Sequence, residues 1–194
     1  MGVLLASVST YTVVFTLLAA TAEHLSRPGA LARAVAAHRV LPAPAAVAGL
    51  VVAAEGILAG TGIVALHGDD HRALRVTFLL GGAALLGLYA GYGHHLLSTG
   101  RTGPCGCSRL ELPMTGWVVA RAAVLAGLAL TGLAGSGSVV GWDRTDASLA
   151  VVLLASATFA TLLWHLPSAM HHPAGAVDQT VGRSTGVTEG GLPG

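Results

Sequence analysis

Five apolar stretches, each long enough to cross a lipid bilayer, are the feature that most constrains the fold of this chain. A hydrocarbon core of about 30 Å needs roughly 20 apolar residues at a helical rise of about 1.5 Å each. Backbone N–H and C=O groups cannot stay unpaired in lipid, so each stretch is predicted to be an α-helix. The predicted spans are residues 3–22, 45–66, 74–97, 113–134 and 147–166.

The composition supports a membrane location. Only 10% of the residues are charged and 53% are hydrophobic, whereas soluble domains carry roughly 25% charged residues. Residues 3–22 have no basic segment before them and no clear cleavage site after them, so we expect a retained first span rather than a signal peptide. The net charge of +1 and the lack of an Arg cluster argue against nucleic acid as a partner. Membrane lipid is the expected surrounding.

The expected fold is an all-α, polytopic membrane helical bundle, with a four-helix core and a fifth transmembrane helix. Short connections between the first four stretches favour antiparallel neighbours. We expect residues 1–134 to form the four-helix domain, residues 135–170 to add the fifth helix, and residues 171–194 to be a disordered tail. The first connection, residues 23–44, is predicted to form a short interfacial helix or a hairpin, because Pro28 stands near a helix start.

Glycines at helical spacing occur in three of the predicted spans. Gly56 and Gly60 lie in the second, Gly82 with Leu86 and Gly87 with Gly91 in the third, and Gly127 with Thr131 in the fourth. Small residues at such spacing allow close helix contact. Glycine is also abundant in general, with 27 in the chain, so this pattern alone leaves the contacts open.

The only two cysteines of the chain, Cys105 and Cys107, are separated by Gly106 in the polar segment between the third and fourth spans. Residues at i and i+2 are at most about 6.6–7 Å apart at Cα, and a turn at Gly106 brings them into disulfide range. A bridge this short is expected to be strained and easily reduced. Arg101 and Arg109 flank the pair and favour the thiolate over the thiol. The pair therefore predicts thiol–disulfide chemistry.

Two other interpretations of the cysteines stay open. The pair can be an inert structural clip, or it can bind copper or zinc together with His94 or His95 at the end of the third span. Against a metal, adjacent histidines point in different directions on a helix, and the usual C-x₂₋₄-C ligand spacing is absent. If no metal binds, we interpret the two histidines as polar residues at a helix end, or one of them as a proton carrier for the thiols.

Two ionisable residues lie inside predicted spans, Glu55 in the second and Arg121 in the fourth. Charges at such depth are costly and usually paired. One hypothesis is that Glu55 and Arg121 contact each other and set the helix register. The other is that they shape a polar pocket or a quinone site beneath the cysteines, with Tyr89, Tyr92 and Trp117 as candidate lining residues.

The side of the membrane on which the cysteines lie is contested. By the positive-inside rule, the connections on the cysteine side carry six Arg against three on the other side, which favours the cytoplasm. Redox chemistry favours the opposite, because the cytosol keeps thiols reduced while disulfides persist in oxidising compartments. We expect a multi-pass protein of the cell membrane whose cysteine segment is extracytoplasmic.

The segment from Gly100 to Cys107, followed by Trp117 and Arg121, resembles the methylamine-utilisation MauE family, which carries a C-G-C turn, a Trp-containing segment and an Arg in the next membrane helix. Residues 22–25 and 27–33, and Glu55, are similar to it as well. The resemblance covers roughly residues 10–134. Two features depart from it: Ser108-Arg109 stands where the family usually has Phe-Gly, and a fifth span follows.

The resemblance implies a DoxX-like helical bundle, distantly similar to vitamin K epoxide reductase. It implies Cys105 and Cys107 as the redox pair, and Glu55 and Arg121 as the buried charges. MauE is associated with maturation of methylamine dehydrogenase, whose small subunit is rich in disulfides outside the cytoplasm. The implied function is thus disulfide formation or transfer in partner proteins, as a possible thiol–disulfide oxidoreductase. With no second cysteine pair, electrons would pass directly to client or thioredoxin-like thiols or to a bound quinone. The alternatives are a non-catalytic assembly subunit and a metal-handling protein.

Overall fold

The computed structural model describes residues 1–67, 71–101, 103, 114–144 and 146–170. All regular structure in these ranges is helical. The predicted tail, residues 171–194, and the cysteine pair lie outside the described residues. The six helices are α1 (Gly2–Ser26), α2 (Ala30–His38), α3 (Pro44–Ala65), α4 (Arg72–Ser98), α5 (Gly116–Ala134) and α6 (Ala147–Ala169).

Five of these helices, α1 and α3 to α6, are long and apolar enough to cross a membrane. This confirms the predicted all-α polytopic bundle. Each helix overlaps one predicted span, and the ends differ by a few residues. The largest extension is in α1, which continues past the predicted end at Ala22 as far as Ser26. The boundary moved because Glu23 and His24, which are polar, continue the helix beyond its apolar part.

The predicted short helix in the first connection is confirmed as α2. It follows a turn at Arg27–Gly29, where Gly29 has a φ of +87° that L-amino acids with a side chain rarely adopt. The helix packs against α3 and buries Ala34, Val35 and His38. Because α2 covers the start of α3, it brings His38 against the bundle.

Helix α1 lies at the centre of the bundle and packs against α3, α5 and α6, while α4 packs against α3 and α5. Two of its buried hydroxyl groups are satisfied within the helix: Thr10 donates to the Ala6 carbonyl at 2.7 Å and Thr16 to the Thr12 carbonyl at 2.8 Å. A hydroxyl bonded to the carbonyl at i−4 loses little on leaving water. Polar residues in α1 therefore do not prevent its central position.

The bundle has two faces. The loop face is the end at which residues 99–115 connect α4 to α5, and α2 lies there. The opposite face holds the end of α3 and residues 135–146, which precede α6. Hydrogen bonds between residues far apart in sequence close the opposite face. The Tyr11 hydroxyl donates to the Val140 carbonyl at 2.9 Å, and the backbone N–H of Trp142 donates to the Leu66 carbonyl at 3.0 Å.

Helix α6 begins on the opposite face with a side-chain cap. The carboxylate of Asp146 accepts hydrogen bonds from the N–H groups of Ser148 at 3.1 Å and Leu149 at 3.2 Å, and from the Ser148 hydroxyl. These bonds, the Ser148 hydroxyl first, lower the pKa of Asp146. The cap satisfies N–H groups that a helix start otherwise leaves unpaired.

The close helix contacts are not those that the glycine pattern predicted. A Cβ at Gly60, Gly87, Gly91 or Gly127 would meet nothing within 4 Å, so the prediction is wrong there. At Gly56 it would lie 3.6 Å from the Thr21 methyl group, and at Gly82 it would lie 3.5 Å from Val13 Cγ1, both ordinary contacts. The tight approaches are at other glycines, where a Cβ would lie within 3.0 Å of a neighbouring side chain: Gly62, Gly81, Gly93, Gly103, Gly132 and Gly135.

Candidate functional site

A cavity of about 350 Å³ lies in the loop-face half of the bundle, between α1, α2, α3, α4 and α5. Apolar side chains make up most of its wall, and polar side chains come from four helices. Such an apolar cavity with a few convergent polar groups is the usual form of a small-molecule site. Its polar lining residues are His24, His38, Tyr89, Tyr92 and Arg121.

The chain enters and leaves the cysteine segment beside this cavity. The Met114 N–H donates to the Gly103 carbonyl at 2.9 Å, so the two described residues that flank the segment lie side by side. Met114 lines the cavity. Gly103 packs so tightly on the His38 ring that a Cβ would lie 2.7 Å from its Cδ2 atom. Both described ends of the segment are thus anchored at the loop-face end of the cavity.

His38 joins α2 to α4. Its side chain is 5% exposed, and its Nδ1 atom lies 3.1 Å from the Tyr92 hydroxyl oxygen. A second link is nearby, where the Arg101 guanidinium donates to the Arg39 carbonyl at 3.2 Å. The sequence did not indicate this contact, because helical periodicity cannot show that a tyrosine 54 residues later would meet His38.

Glu55 is almost completely buried, at 1% exposure, in the middle of α3. The Tyr89 hydroxyl donates to its Oε1 atom at 2.7 Å. Its Oε2 atom lies 3.5 Å from Nε2 of His24, at the end of α1. The carboxyl group is therefore held by α4 and α1, and its two partners line the cavity.

The predicted contact between Glu55 and Arg121 is wrong. Arg121 instead places its guanidinium carbon 5.5 Å from the centre of the Trp164 ring, a cation–π contact with α6. Among the described residues, no carboxylate lies within 4 Å of Arg121. The prediction failed because it assumed that the two deepest charges would pair, whereas helix packing gave Glu55 a hydrogen bond from Tyr89 and the nearby His24 ring.

The aromatic residues proposed for a pocket divide into two groups. Tyr89 and Tyr92 line the cavity as predicted, and both donate or share a hydrogen bond beside it. Trp117 does not line the cavity and is 43% exposed on the outer surface of α5. Trp117 therefore has the position of a lipid-facing or interfacial aromatic.

The predicted metal ligands are only partly within the described residues. His94 and His95 are exposed near the end of α4. In the part of the chain that the structure describes, no three His, Cys, Asp or Glu side chains come together as a metal site. Cys105 and Cys107 lie outside that part, so the metal hypothesis stays a prediction.

Three site residues were not singled out from the sequence: His24, His38 and Trp164. His24 had a weak signal, since it is an ionisable residue directly after an apolar stretch. Trp164 had none, because its contact with Arg121 depends on how α6 packs against the other helices.

A comparison with protein-family models identifies residues 2–135 as a match to the model described as methylamine utilisation protein MauE. This match covers more than half of the chain. The chain belongs to the MauE family. Its matched region includes α1 to α5 and every residue that lines the cavity, whereas α6, with Trp164, follows the matched region. No curated protein and no solved structure matches the chain.

Proposed function

We propose that this MauE-family membrane protein supports disulfide formation or transfer in partner proteins through Cys105 and Cys107. The observation that carries the proposal is the anchoring of Gly103 at the loop-face end of the cavity, between His38 and Met114. Two residues span at most about 7 Å between Cα atoms, so Cys105 is within that reach of Gly103. The chain's only thiols are thereby tied to the part of the bundle that has a cavity and polar side chains.

The proposed step is a two-electron thiol–disulfide exchange. A client thiolate attacks one sulfur of the Cys105–Cys107 disulfide and forms a mixed disulfide, while the other cysteine leaves as a thiolate. The second client thiol then attacks the mixed disulfide. The client gains a disulfide, and Cys105 and Cys107 gain the two electrons and, after protonation, two protons. Arg101 stands four residues before Cys105 and favours the thiolate form by its charge.

The reduced pair then needs an acceptor. One acceptor is an oxidised thioredoxin-like protein, which takes both electrons in a second exchange. The other is a membrane quinone, which takes two electrons and two protons and becomes a quinol. Because the chain has two cysteines in total, either acceptor reacts directly with the Cys105–Cys107 pair.

We place the loop face on the extracytoplasmic side of the cell membrane. A reactive disulfide on the cytosolic side would be reduced by the thiol pools there. The family description, methylamine utilisation, favours methylamine dehydrogenase as the client, and its maturation as the process in which this protein acts.

A single-turnover assay tests the exchange. The purified, oxidised protein is mixed with a reduced dithiol client peptide without any acceptor, and both are trapped with a maleimide and weighed by mass spectrometry. We expect up to one client disulfide per chain, and none from the Cys105→Ser or Cys107→Ser variants. Arg72→Gln, an exposed position at the opposite face, serves as the control and should react as the native protein does.

Three results would contradict the proposal. If the cysteines cannot be oxidised to an intramolecular disulfide, or if the oxidised protein leaves the client reduced, the assembly-subunit hypothesis is favoured. If the purified protein holds copper or zinc that the double-serine variant and His94→Ala lose, the metal-handling hypothesis is favoured.

The proposed orientation is tested in intact cells. After mild reduction, a membrane-impermeant maleimide should label the native protein without permeabilisation. The double-serine variant has no thiol and gives the background. Labelling that requires permeabilised cells would place the loop face in the cytosol. Disulfide transfer to an extracytoplasmic client would then lose its support, because thiol pools in the cytosol would reduce the pair.

A further inference from the structure

We infer that the cavity in the loop-face half binds a single-chain amphiphile with an anionic head group, whose charge pairs with Arg121. The inference rests on the described residues alone and does not depend on the thiol chemistry proposed above.

The first argument concerns the charge of Arg121. Arginine keeps its proton in proteins, and a cation within a membrane span is costly unless it is paired. The carboxylate that the sequence offered as its partner, Glu55, is bonded to Tyr89 and lies beside His24 instead. Among the described residues, Arg121 has the Trp164 ring and no carboxylate within 4 Å. A bound anion would supply the missing charge.

The second argument concerns what else lines the cavity. Arg121 gives the cavity a fixed positive charge, whereas the Tyr89 hydroxyl already donates to Glu55, and the described lining includes no Asp or Glu. The rest of the wall is aliphatic, with Leu31, Val51 and Leu85 as examples. A carboxylate accepts hydrogen bonds only, and an acyl chain matches an aliphatic wall. The lining is therefore complementary to a fatty-acid anion and not to a cationic amphiphile.

The third argument concerns size. The cavity has a volume of about 350 Å³. This volume lies within the range of about 300–1,000 Å³ that is usual for small-molecule sites. It suits one acyl chain with its head group, and the nanodisc comparison described below distinguishes a free single-chain acid from a bilayer phospholipid.

Binding of three labelled amphiphiles with the same chain length tests the inference. The full-length protein is placed in phosphatidylcholine nanodiscs, and saturable binding of dodecanoate, dodecanol and dodecyltrimethylammonium is measured against empty nanodiscs. We expect one saturable dodecanoate site per chain. Arg121→Gln should weaken dodecanoate binding about tenfold or more, as expected for a lost hydrogen bond to a charged group. Arg121→Lys should retain most of the affinity.

Two further variants keep the test valid if Arg121→Gln does not fold. Val51→Phe keeps Arg121 but fills part of the cavity, and it should reduce dodecanoate binding. Arg72→Gln removes an exposed arginine at the other end of the bundle, and it should leave binding unchanged.

Several outcomes would overturn the inference. One is dodecanol or the ammonium amphiphile binding as tightly as dodecanoate. Another is Arg121→Gln and Val51→Phe both binding dodecanoate normally. A decyl-substituted quinone that displaces dodecanoate at equal concentration would show a neutral ligand site instead. Loss of dodecanoate binding in phosphatidylglycerol nanodiscs would show that a bilayer phospholipid occupies the site.

Discussion

Two arginines within membrane-length helices, Arg75 and Arg121, show how differently the two halves of this bundle use the same residue. Arg75, near the opposite face, is 1% exposed, and its guanidinium donates to the Ala65 carbonyl at 3.3 and 3.2 Å and to the Ser136 carbonyl at 2.8 Å. Arg121, in the loop-face half, lines a cavity and contacts the Trp164 ring.

The difference follows from what surrounds each guanidinium. Helices α3 and α5 both end at the opposite face, and the last carbonyls of a helix have no partner within it. Arg75 bonds carbonyls at both helix ends, so it holds the two ends together. Arg121 lies five residues after the start of α5, where the backbone carbonyls are bonded within the helix, and its guanidinium contacts the Trp164 ring.

The largest expected effect is the loss of Arg75. Arg75→Gln removes a charged donor from two helix ends, and we expect the free energy of unfolding to fall by about 3 kcal/mol, because hydrogen bonds to charged groups contribute about 1.5–3 kcal/mol each. Arg121→Gln should cost less than about 1 kcal/mol, since a cation–π contact contributes about 0.5–1 kcal/mol.

Denaturant unfolding in detergent, at matched concentrations, compares the two variants. Arg72→Gln is the control and should lie within about 0.5 kcal/mol of the native protein, as exposed substitutions usually do. Equal losses at Arg75 and Arg121 would mean that the two halves do not differ as described.

The next effect concerns packing at the contact of α5 with α1 and α4. A Cβ at Gly132 would lie 2.7 Å from the Thr10 hydroxyl oxygen and 3.1 Å from Leu79 Cδ2. Gly132→Ala should therefore destabilise the protein by about 1–3 kcal/mol. On the same helix a Cβ at Gly127 meets nothing within 4 Å, so Gly127→Ala should be neutral or stabilising by up to about 1 kcal/mol. The melting temperatures of both variants test this prediction. An unchanged melting temperature for Gly132→Ala would mean that α5 packs less tightly against α1 and α4 than described.

A smaller effect on stability tests whether Tyr89 or Arg121 is the partner of Glu55. Glu55→Gln and Tyr89→Phe each disturb the same 2.7 Å hydrogen bond. In a double-mutant cycle, the double variant should therefore lose less unfolding free energy than the sum of the two single variants. We expect a coupling energy of about 0.6–1.7 kcal/mol, the range found for side-chain hydrogen bonds within membranes.

In a double-mutant cycle with Glu55→Gln and Arg121→Gln, the losses of unfolding free energy should be additive within about 0.5 kcal/mol. Strong coupling in that second cycle, with none in the first, would restore the pairing that the sequence predicted.

The smallest effect is at the start of α6. The pKa of Asp146 is lowered in the folded protein, by the hydrogen bond from the Ser148 hydroxyl first. A lowered pKa means that the carboxylate stabilises the fold above its ordinary pKa, and that this contribution is lost as the pH falls through the folded-state pKa. Asp146→Ala should therefore melt slightly lower than the native protein at neutral pH, and the two should converge in acid. A constant difference at all pH values would mean that ionisation of Asp146 does not contribute.

Most of the fold could be predicted from hydrophobicity. Every predicted span became a helix that is long and apolar enough to cross a membrane, because unpaired backbone groups in lipid leave few alternatives. Helix α2 was predictable from Pro28 and the apolar spacing that follows it. The glycine contacts were not, since spacing shows which residues share a helix face but not which face meets another helix.

The candidate site was only partly predictable. The depth of Glu55 and Arg121 identified both as exceptional, because charge in lipid is costly whatever its partner. Tyr89 and Tyr92 were found by their position near the end of a span. Which groups meet was decided by packing: His38 reaches Tyr92 because α2 folds back onto the bundle, and Glu55 reaches Tyr89 and His24 because α3 lies against both α4 and α1.

By itself, then, the sequence determined the membrane class, the number of spans and the residues whose polarity demands a partner. Local hydrophobicity and backbone hydrogen bonding set these properties within single segments. Only the tertiary structure decided the partners, since side-chain contacts depend on the rotation and height of each helix against its neighbours. The same packing left Arg121 without a carboxylate among the described residues and left a cavity beside it.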